Sequence, residues 1–291
     1  MSTRLLTLAA ASAALLGCFA GFAANAPAAP ADPRLAAVHD WAFAIGAGAL
    51  SGDLAARYRE YDLIVVDGEE AIPAQVAALR TGGRIVLGYL SVGTIEPFRP
   101  WYKRLKRFRL PDEFEQFNEP YARLNAKGFR RQVAGRIAPK ILGKGFDGLF
   151  LDNTDMVEIH KRQRRGLRAL VASLAARVDQ LPGRYLFTQN GARVIGPTLA
   201  FYDGWNREDV TWTYSFKRRR YQRVPARDAE AARAELARIG AAGLLTTATD
   251  YTAGDELAAA ESVANACSAG ALPFVSNIGL RRIPPVPSGC G

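Results

Sequence analysis

The sequence predicts an α/β protein of one domain, a (β/α)8 TIM barrel in which parallel strands are wrapped by helices, and three observations lead there. Eight short β-rich runs alternate with Ala-rich or charged helical segments, the pattern of parallel strands joined by crossover helices. The chain has 291 residues, 49% of them hydrophobic, and one barrel of roughly 250 residues would use nearly all of it. Several runs end abruptly in carboxylates or amides, and the carboxyl ends of barrel strands are where chemistry is assembled.

The eight runs are 41–46, 63–67, 85–92, 148–152, 185–190, 201–206, 243–250 and 273–278. Each is too short for a helix and is rich in Val, Ile, Leu, Phe and Tyr, as strands buried on both faces are. Helical patterns occupy 73–80, 130–142, 160–180, 228–239 and 255–268. Gly82-Gly83, Gly145, Gly183, Gly240 and Gly270 follow them, where a helix is stopped and the chain turned into the next strand. An open doubly wound sheet is the alternative, but no Gly-x-Gly-x-x-Gly turn follows the first run.

Residues 1–26 read as a signal peptide: Arg4 gives the positive start, Leu5 to Phe22 is apolar, and Ala24-Asn25-Ala26 fits a small-residue cleavage site. Residues 27–36 read as an Ala/Pro linker, flexible and extended, leaving 37–291 for the barrel and its tail. The expected location is secreted or periplasmic. Leu15-Leu16-Gly17-Cys18 also resembles a lipoprotein cleavage box, so a lipid anchor at Cys18, and with it an outer-membrane lipoprotein, stays open.

Of three cysteines, Cys267 and Cys290 remain as an even pair once Cys18 is removed or lipidated. In an oxidising compartment a disulfide between them would tie the Pro-rich tail to the last helix; two unpaired thiols are the alternative. The formal charge is +10, with basic clusters at 103–109, 161–168 and 217–223. Such clusters suit an anionic glycan or membrane surface, or are simply a solvated face. Nucleic acid is not an expected partner, because an exported chain rarely meets it.

Polar residues near the ends of the runs define the candidate site. Asp67 ends the second; Tyr89 and Ser91 lie on the third; Asp152, Asn153 and Asp155 close the fourth; Asn190 closes the fifth. Glu208 follows the sixth, Asp250 and Tyr251 the seventh, and Asn277 the eighth. Carboxylates, amides and phenols on one rim supply the donors and acceptors that sugar hydroxyls need. Cleaving a glycosidic bond takes two carboxyl groups, one to protonate the departing oxygen and one to attack carbon or activate water. Asp152 and Glu208 are the expected pair, since ends of strands four and six face one another across a small pocket.

Those residues carry a resemblance. Asp62-Leu63-Ile64-Val65-Val66-Asp67, Val86 through Thr94 (VLGYLSVGT), Gly145 through Asp155 (GFDGLFLDNTD), Gln189-Asn190-Gly191, Asp203-Gly204 followed by Glu208, and Thr249-Asp250-Tyr251 are similar to the endo-alpha-1,4-polygalactosaminidases, glycoside hydrolase family 114. The resemblance spans about 41–279 and implies a (β/α)8 barrel acting on a galactosamine or N-acetylgalactosamine polysaccharide. It implies Asp152 as nucleophile and Glu208 as general acid/base, with exchanged roles equally compatible with the residues. Asp67, Tyr89, Asn190, Asp250 and Tyr251 would then hold the sugar at the cleavage point. Ser91, Asn153, Trp212 and Asn277 complete the expected substrate contacts, Trp212 as a stacking surface.

The aromatic and cationic stretch from Trp212 to Tyr221 fits a cationic polymer poorly, so an N-acetylated, neutral or even acidic substrate also stays open, and Trp212, Tyr214 and Phe216 alternate as a core strand would. The chain has two histidines, His39 and His160, in no metal-ligand spacing, and nothing in it asks for a metal or organic cofactor. A noncatalytic carbohydrate-binding or envelope-associated barrel is the alternative function.

Overall fold

A computed structural model describes residues 30, 32–180, 183–284, 289 and 290. The expected signal peptide, Cys18 and the first part of the expected linker lie outside the described residues. The end of that linker is not extended: Pro33–Ala36 form a helical turn whose N-cap Asp32 accepts from the N–H groups of Arg34 and Leu35. Leu35 is buried in the core, and Asp32 also accepts from the Tyr185 hydroxyl at 3.1 Å.

Eight parallel strands follow: β1 (Trp41–Ala44), β2 (Leu63–Asp67), β3 (Ile85–Ser91), β4 (Gly148–Asp152), β5 (Tyr185–Gln189), β6 (Gly204–Glu208), β7 (Leu245–Tyr251) and β8 (Leu272–Ser276). They pair in sequence order from β1 to β8. The seam between the first and last is closed by side chains: the Trp41 indole N–H donates to the Leu272 carbonyl at 2.9 Å, and its ring lies 5.8 Å from that of Phe274. Inside, Phe43 lies 4.9 Å from Phe150 and 6.3 Å from Tyr89, plugging the barrel beneath the site. Cutting a core Phe such as Phe150 to Ala typically costs about 3–5 kcal/mol.

Five main helices cover the strands: α1 (Pro73–Leu79), α2 (three consecutive segments, Lys127–Gln132, Val133–Ile137 and Ala138–Leu142), α3 (Arg164–Val178), α4 (Ala226–Gly240) and α5 (Glu256–Ser268). The stripe Leu167, Leu170, Val171, Leu174 and Val178 is the buried face of α3, at the three-to-four spacing of an amphipathic helix. The middle segment of α2 is a π-turn just before Pro139, whose missing N–H cannot continue the regular ladder. Cys267 and Cys290 are disulfide-bonded, joining α5 to the tail across a separation of 23 residues. Closing a loop of that size is worth about 3 kcal/mol in chain entropy. Among the described residues no helix is long and apolar enough to cross a membrane.

Element boundaries differ most at β6. The expected run 201–206 begins too early, because Gly196–Phe201 is a 3-10 segment started by Pro197, and the strand extends to include Glu208 itself. Two antiparallel hairpins were not foreseen: Arg109–Phe114 with Glu119–Ala122, inserted after β3, and Trp212–Ser215 with Arg220–Arg223, inserted after β6. Trp212 and Tyr214 therefore alternate along a strand, with Phe216 in the turn that follows, but it is a strand of a half-exposed hairpin and not of the core.

Candidate active site

Side chains alternate along a strand, so the residues sharing the inward parity of Phe150 and Tyr89 are fixed by register. Tyr89 opposes Phe150 and Ser91 opposes Asp152 across the β3–β4 ladder; Gln189 opposes Asn206, and Glu208 opposes Thr249, on the ladders that follow. The residue just past each of three strands has a left-handed backbone: Asn153 (φ 58°), Asn190 (φ 55°) and Asp209 (φ 56°). Asn and Asp tolerate that conformation better than other side chains. The pairs Asp152-Asn153, Gln189-Asn190 and Glu208-Asp209 thus repeat one arrangement, a polar strand-end residue followed by a turn.

Asp152 is half-buried and held by four donors. Oδ2 accepts from the Tyr89 hydroxyl at 2.6 Å and from Asn153 Nδ2 at 3.1 Å; Oδ1 accepts from the Asn153 backbone N–H and from Gln189 Nε2. Gln189 is itself oriented, its Oε1 accepting from Asn206 Nδ2 at 3.1 Å, while Asn206 Oδ1 accepts from the hydroxyls of Thr247 (3.0 Å) and Thr249 (3.2 Å). A chain of buried amides and hydroxyls therefore fixes the aspartate from below. Glu208 has two donors: Asn190 Nδ2 reaches Oε2 at 2.8 Å, and the Tyr251 hydroxyl donates to Oε1.

These environments separate two carboxyl groups that feel each other's charge. Burial, the negative charges of Asp152 and Asp209, in that order, push Glu208 up to about 8, against the lowering effect of Tyr251 and Asn190. Burial also raises Asp152, but hydrogen bonds from Tyr89, Gln189 and the Asn153 N–H oppose it. Asp152 has more donors on its oxygens than Glu208, and donors to a carboxylate favour its anion. Around them, burial lifts Asp155 to about 7, Asp209 to about 6 and Glu119 to about 7, each with a neighbouring carboxylate adding to the rise.

A family model for glycoside-hydrolase family GH114 matches residues 22–278. The chain belongs to family GH114. It is a glycoside hydrolase. Among solved structures, the glycoside hydrolase domain of PelA from Pseudomonas aeruginosa is similar at 26% identity and a TM-score of 0.73, over 84% of this chain and 96% of that one. Ega3 of Aspergillus fumigatus, in complex with galactosamine, shares the fold at 17% identity and a TM-score of 0.64, over 83% of this chain and 92% of that one. An alpha-galactosidase from Thermus thermophilus shares it at 12% identity and a TM-score of 0.53, over 82% and 57%. No curated protein matches the sequence.

In this GH114 chain, Tyr89, Asn153, Asn190 and Tyr251 all bond directly to one of the two carboxylates. Ser91 sits one bond further out, accepting from Asn153 Nδ2 at 3.0 Å and sharing a 2.7 Å contact with the Thr94 hydroxyl. Other expected sugar contacts have internal partners. Asp67 is buried against Arg99, with Nη1 to Oδ1 and Nη2 to Oδ2 both at 2.8 Å, and Arg99 also grips Glu96. Asp250 accepts from the backbone N–H groups of Val210 (2.7 Å) and Thr211 (3.1 Å), so it shapes the loop behind Glu208. Trp212 donates to Glu261 at 2.9 Å, and Asn277 accepts from the Arg281 N–H at 2.9 Å.

Several residues of the site were not foreseen: Gln189, Asn206, Arg99, Glu96, Thr94 and Glu119. Thr94 donates to Glu119 at 2.6 Å, which roots the first hairpin beside Asn153. Gly93 is required there, because a Cβ on it would lie 1.7 Å from the Asn153 carbonyl oxygen. Gln189 had a sequence signal, the amide directly before Asn190 at a strand end. The Glu96-Arg99-Asp67 ion cluster had none, since two of its members are far apart in the chain.

Proposed function

We propose that this chain is an exported endo-hydrolase of α-1,4-linked galactosamine-type polysaccharide, with Glu208 as general acid/base and Asp152 as nucleophile. The observation that carries the reading is the contrast between the two carboxyl groups: Glu208, raised to about 8, sits near Asp152, whose anion has four donors. Glu208 delivers its proton to the departing glycosidic oxygen while Asp152 attacks the anomeric carbon, giving a glycosyl-enzyme ester. Glu208, now an anion braced by Tyr251 and Asn190, takes a proton from the water that cleaves that ester, restoring both groups. Tyr89 and Gln189 hold the aspartate so that one oxygen lone pair is aimed at carbon.

The substrate class follows from kinship. Membership of GH114 and the galactosamine bound to Ega3 support an amino-sugar substrate. Export rests on the signal-like residues 1–26, and a disulfide suits an oxidising compartment. The test is incubation of the mature protein with galactosamine and N-acetylgalactosamine polymers, following product length and anomeric configuration by NMR. Internal cleavage with retained configuration supports the reading; release of inverted product, or no cleavage of any such polymer, contradicts it.

A further inference from the structure

The two unforeseen hairpins meet. Phe117, at the turn of the first, lies 5.4 Å from Phe216, at the turn of the second, edge to face at 74°. They nevertheless remain 48% and 39% exposed, among the few large apolar side chains so open to water. Each is backed by further rings: Phe114 lies 5.4 Å from Phe117, and Tyr214 lies 5.2 Å from Phe216 and 4.9 Å from Tyr221.

Both hairpins are rooted at the rim that carries the carboxylates. The first is tied to the loop after β3 by the Ile95 N–H donating to Pro120 (2.8 Å) and the Ala122 N–H donating to Gly93 (2.8 Å), and the Gly93 N–H points at the Asp152 carbonyl. Its Tyr121 ring also packs 4.7 Å from His160, just past β4. The second starts at the loop held by Asp250, is fastened through Trp212 to Glu261, and reaches the β8 end where the Ile278 N–H donates to the Tyr221 hydroxyl at 3.3 Å. The aromatic contact therefore joins the β3–β4 side of the mouth to the β6–β8 side.

Exposed rings supported from behind by other rings are costly in water and suited to the apolar faces of pyranoses, whose C–H groups stack on aromatic surfaces. We propose that Phe117 and Phe216 form a second sugar-binding subsite, distal to the cleavage point, which stacks pyranose rings of a polymer chain where it leaves the cleft. It selects long chains over short ones. The inference rests on the hydrolase reading above and adds to it a substrate-length determinant.

The test compares a polymer of many residues with a trisaccharide, using the parent, F117A, F216A, the double variant and Phe216→Trp, with circular dichroism and thermal melting as folding controls. The expected result is a rise in KM for the polymer of about tenfold in the double variant, with polymer kcat within about twofold, so that the preference for polymer over trisaccharide falls by a similar factor. Phe216→Trp, which keeps an aromatic face at that position, should retain the parent's preference. An active parent whose polymer preference is the same in the double variant overturns this inference alone. A parent inactive on every amino-sugar polymer overturns the hydrolase reading, and the inference with it.

Discussion

Replacing Tyr251 by Phe isolates the proton inventory of the site. Its hydroxyl donates to Glu208 Oε1, and burial beside Glu208 raises the phenol well above its usual range, so it stays a donor throughout the working pH. A hydrogen bond to a charged group is worth roughly 1.5–3 kcal/mol. Losing it disfavours the Glu208 anion by that amount, which at about 1.4 kcal/mol per unit moves its pKa up by about one to two units. The Asn190 bond at 2.8 Å remains as the second support. The profile of kcat/KM against pH reports the free enzyme. Its alkaline limb, near 8 in the parent because that is where Glu208 loses its proton, should move upward in Y251F. The plateau should fall by about tenfold, because delivering the proton to the departing oxygen leaves Glu208 as the anion that Tyr251 braces. An alkaline limb that stays in place or moves down would refute the assignment of the acid to Glu208.

Further outcomes follow from the same contacts. Glu208 keeps its proton to about 8 when folded, whereas an unfolded glutamate loses it near 4.5, so the native state holds the extra proton between those values and stability falls as pH rises through that window. E208Q should therefore be inactive yet more stable than the parent at pH 8, by roughly 1–3 kcal/mol after allowing for solvent screening, and so melt higher there; a lower melting point at that pH would contradict the shift. Gly93→Ala places a methyl on the Asn153 carbonyl and should cut kcat at least about tenfold while the fold survives, measured as activity beside circular dichroism. Cys290→Ser should lower the melting temperature by roughly 6–12 °C with little change in kcat at 25 °C, since the disulfide lies at the tail; equal melting curves would show that it contributes nothing.

Much of the barrel was legible because its strands are apolar runs that stop at polar residues. Gly148–Asp152 and Tyr185–Gln189 needed no tertiary information to be recognised. Phe201 misled because a β-favouring aromatic there belongs to a 3-10 turn started by Pro197. The first hairpin escaped because its strands are short and polar and carry Pro111; of the second, the alternation of Trp212 and Tyr214 was legible as a strand, but its turn and partner strand, with Lys217 through Arg220, read as loop. Asp152 and Glu208 announced themselves as strand-end carboxylates. Asp67 and Asp250 look identical in sequence, and only packing reveals that Arg99 and two backbone N–H groups occupy their oxygens. Gln189 and Asn206 illustrate the opposite failure: neither carries charge, yet together they orient the aspartate.

The central claim is that Asp152 and Glu208 act as one catalytic pair. The most direct measurement is the rate at which D152N and E208Q, each shown to be folded, hydrolyse a soluble α-1,4-galactosamine polymer beside the parent. The account predicts a loss of at least about a thousandfold in each. Parent-like hydrolysis by either folded variant would contradict it.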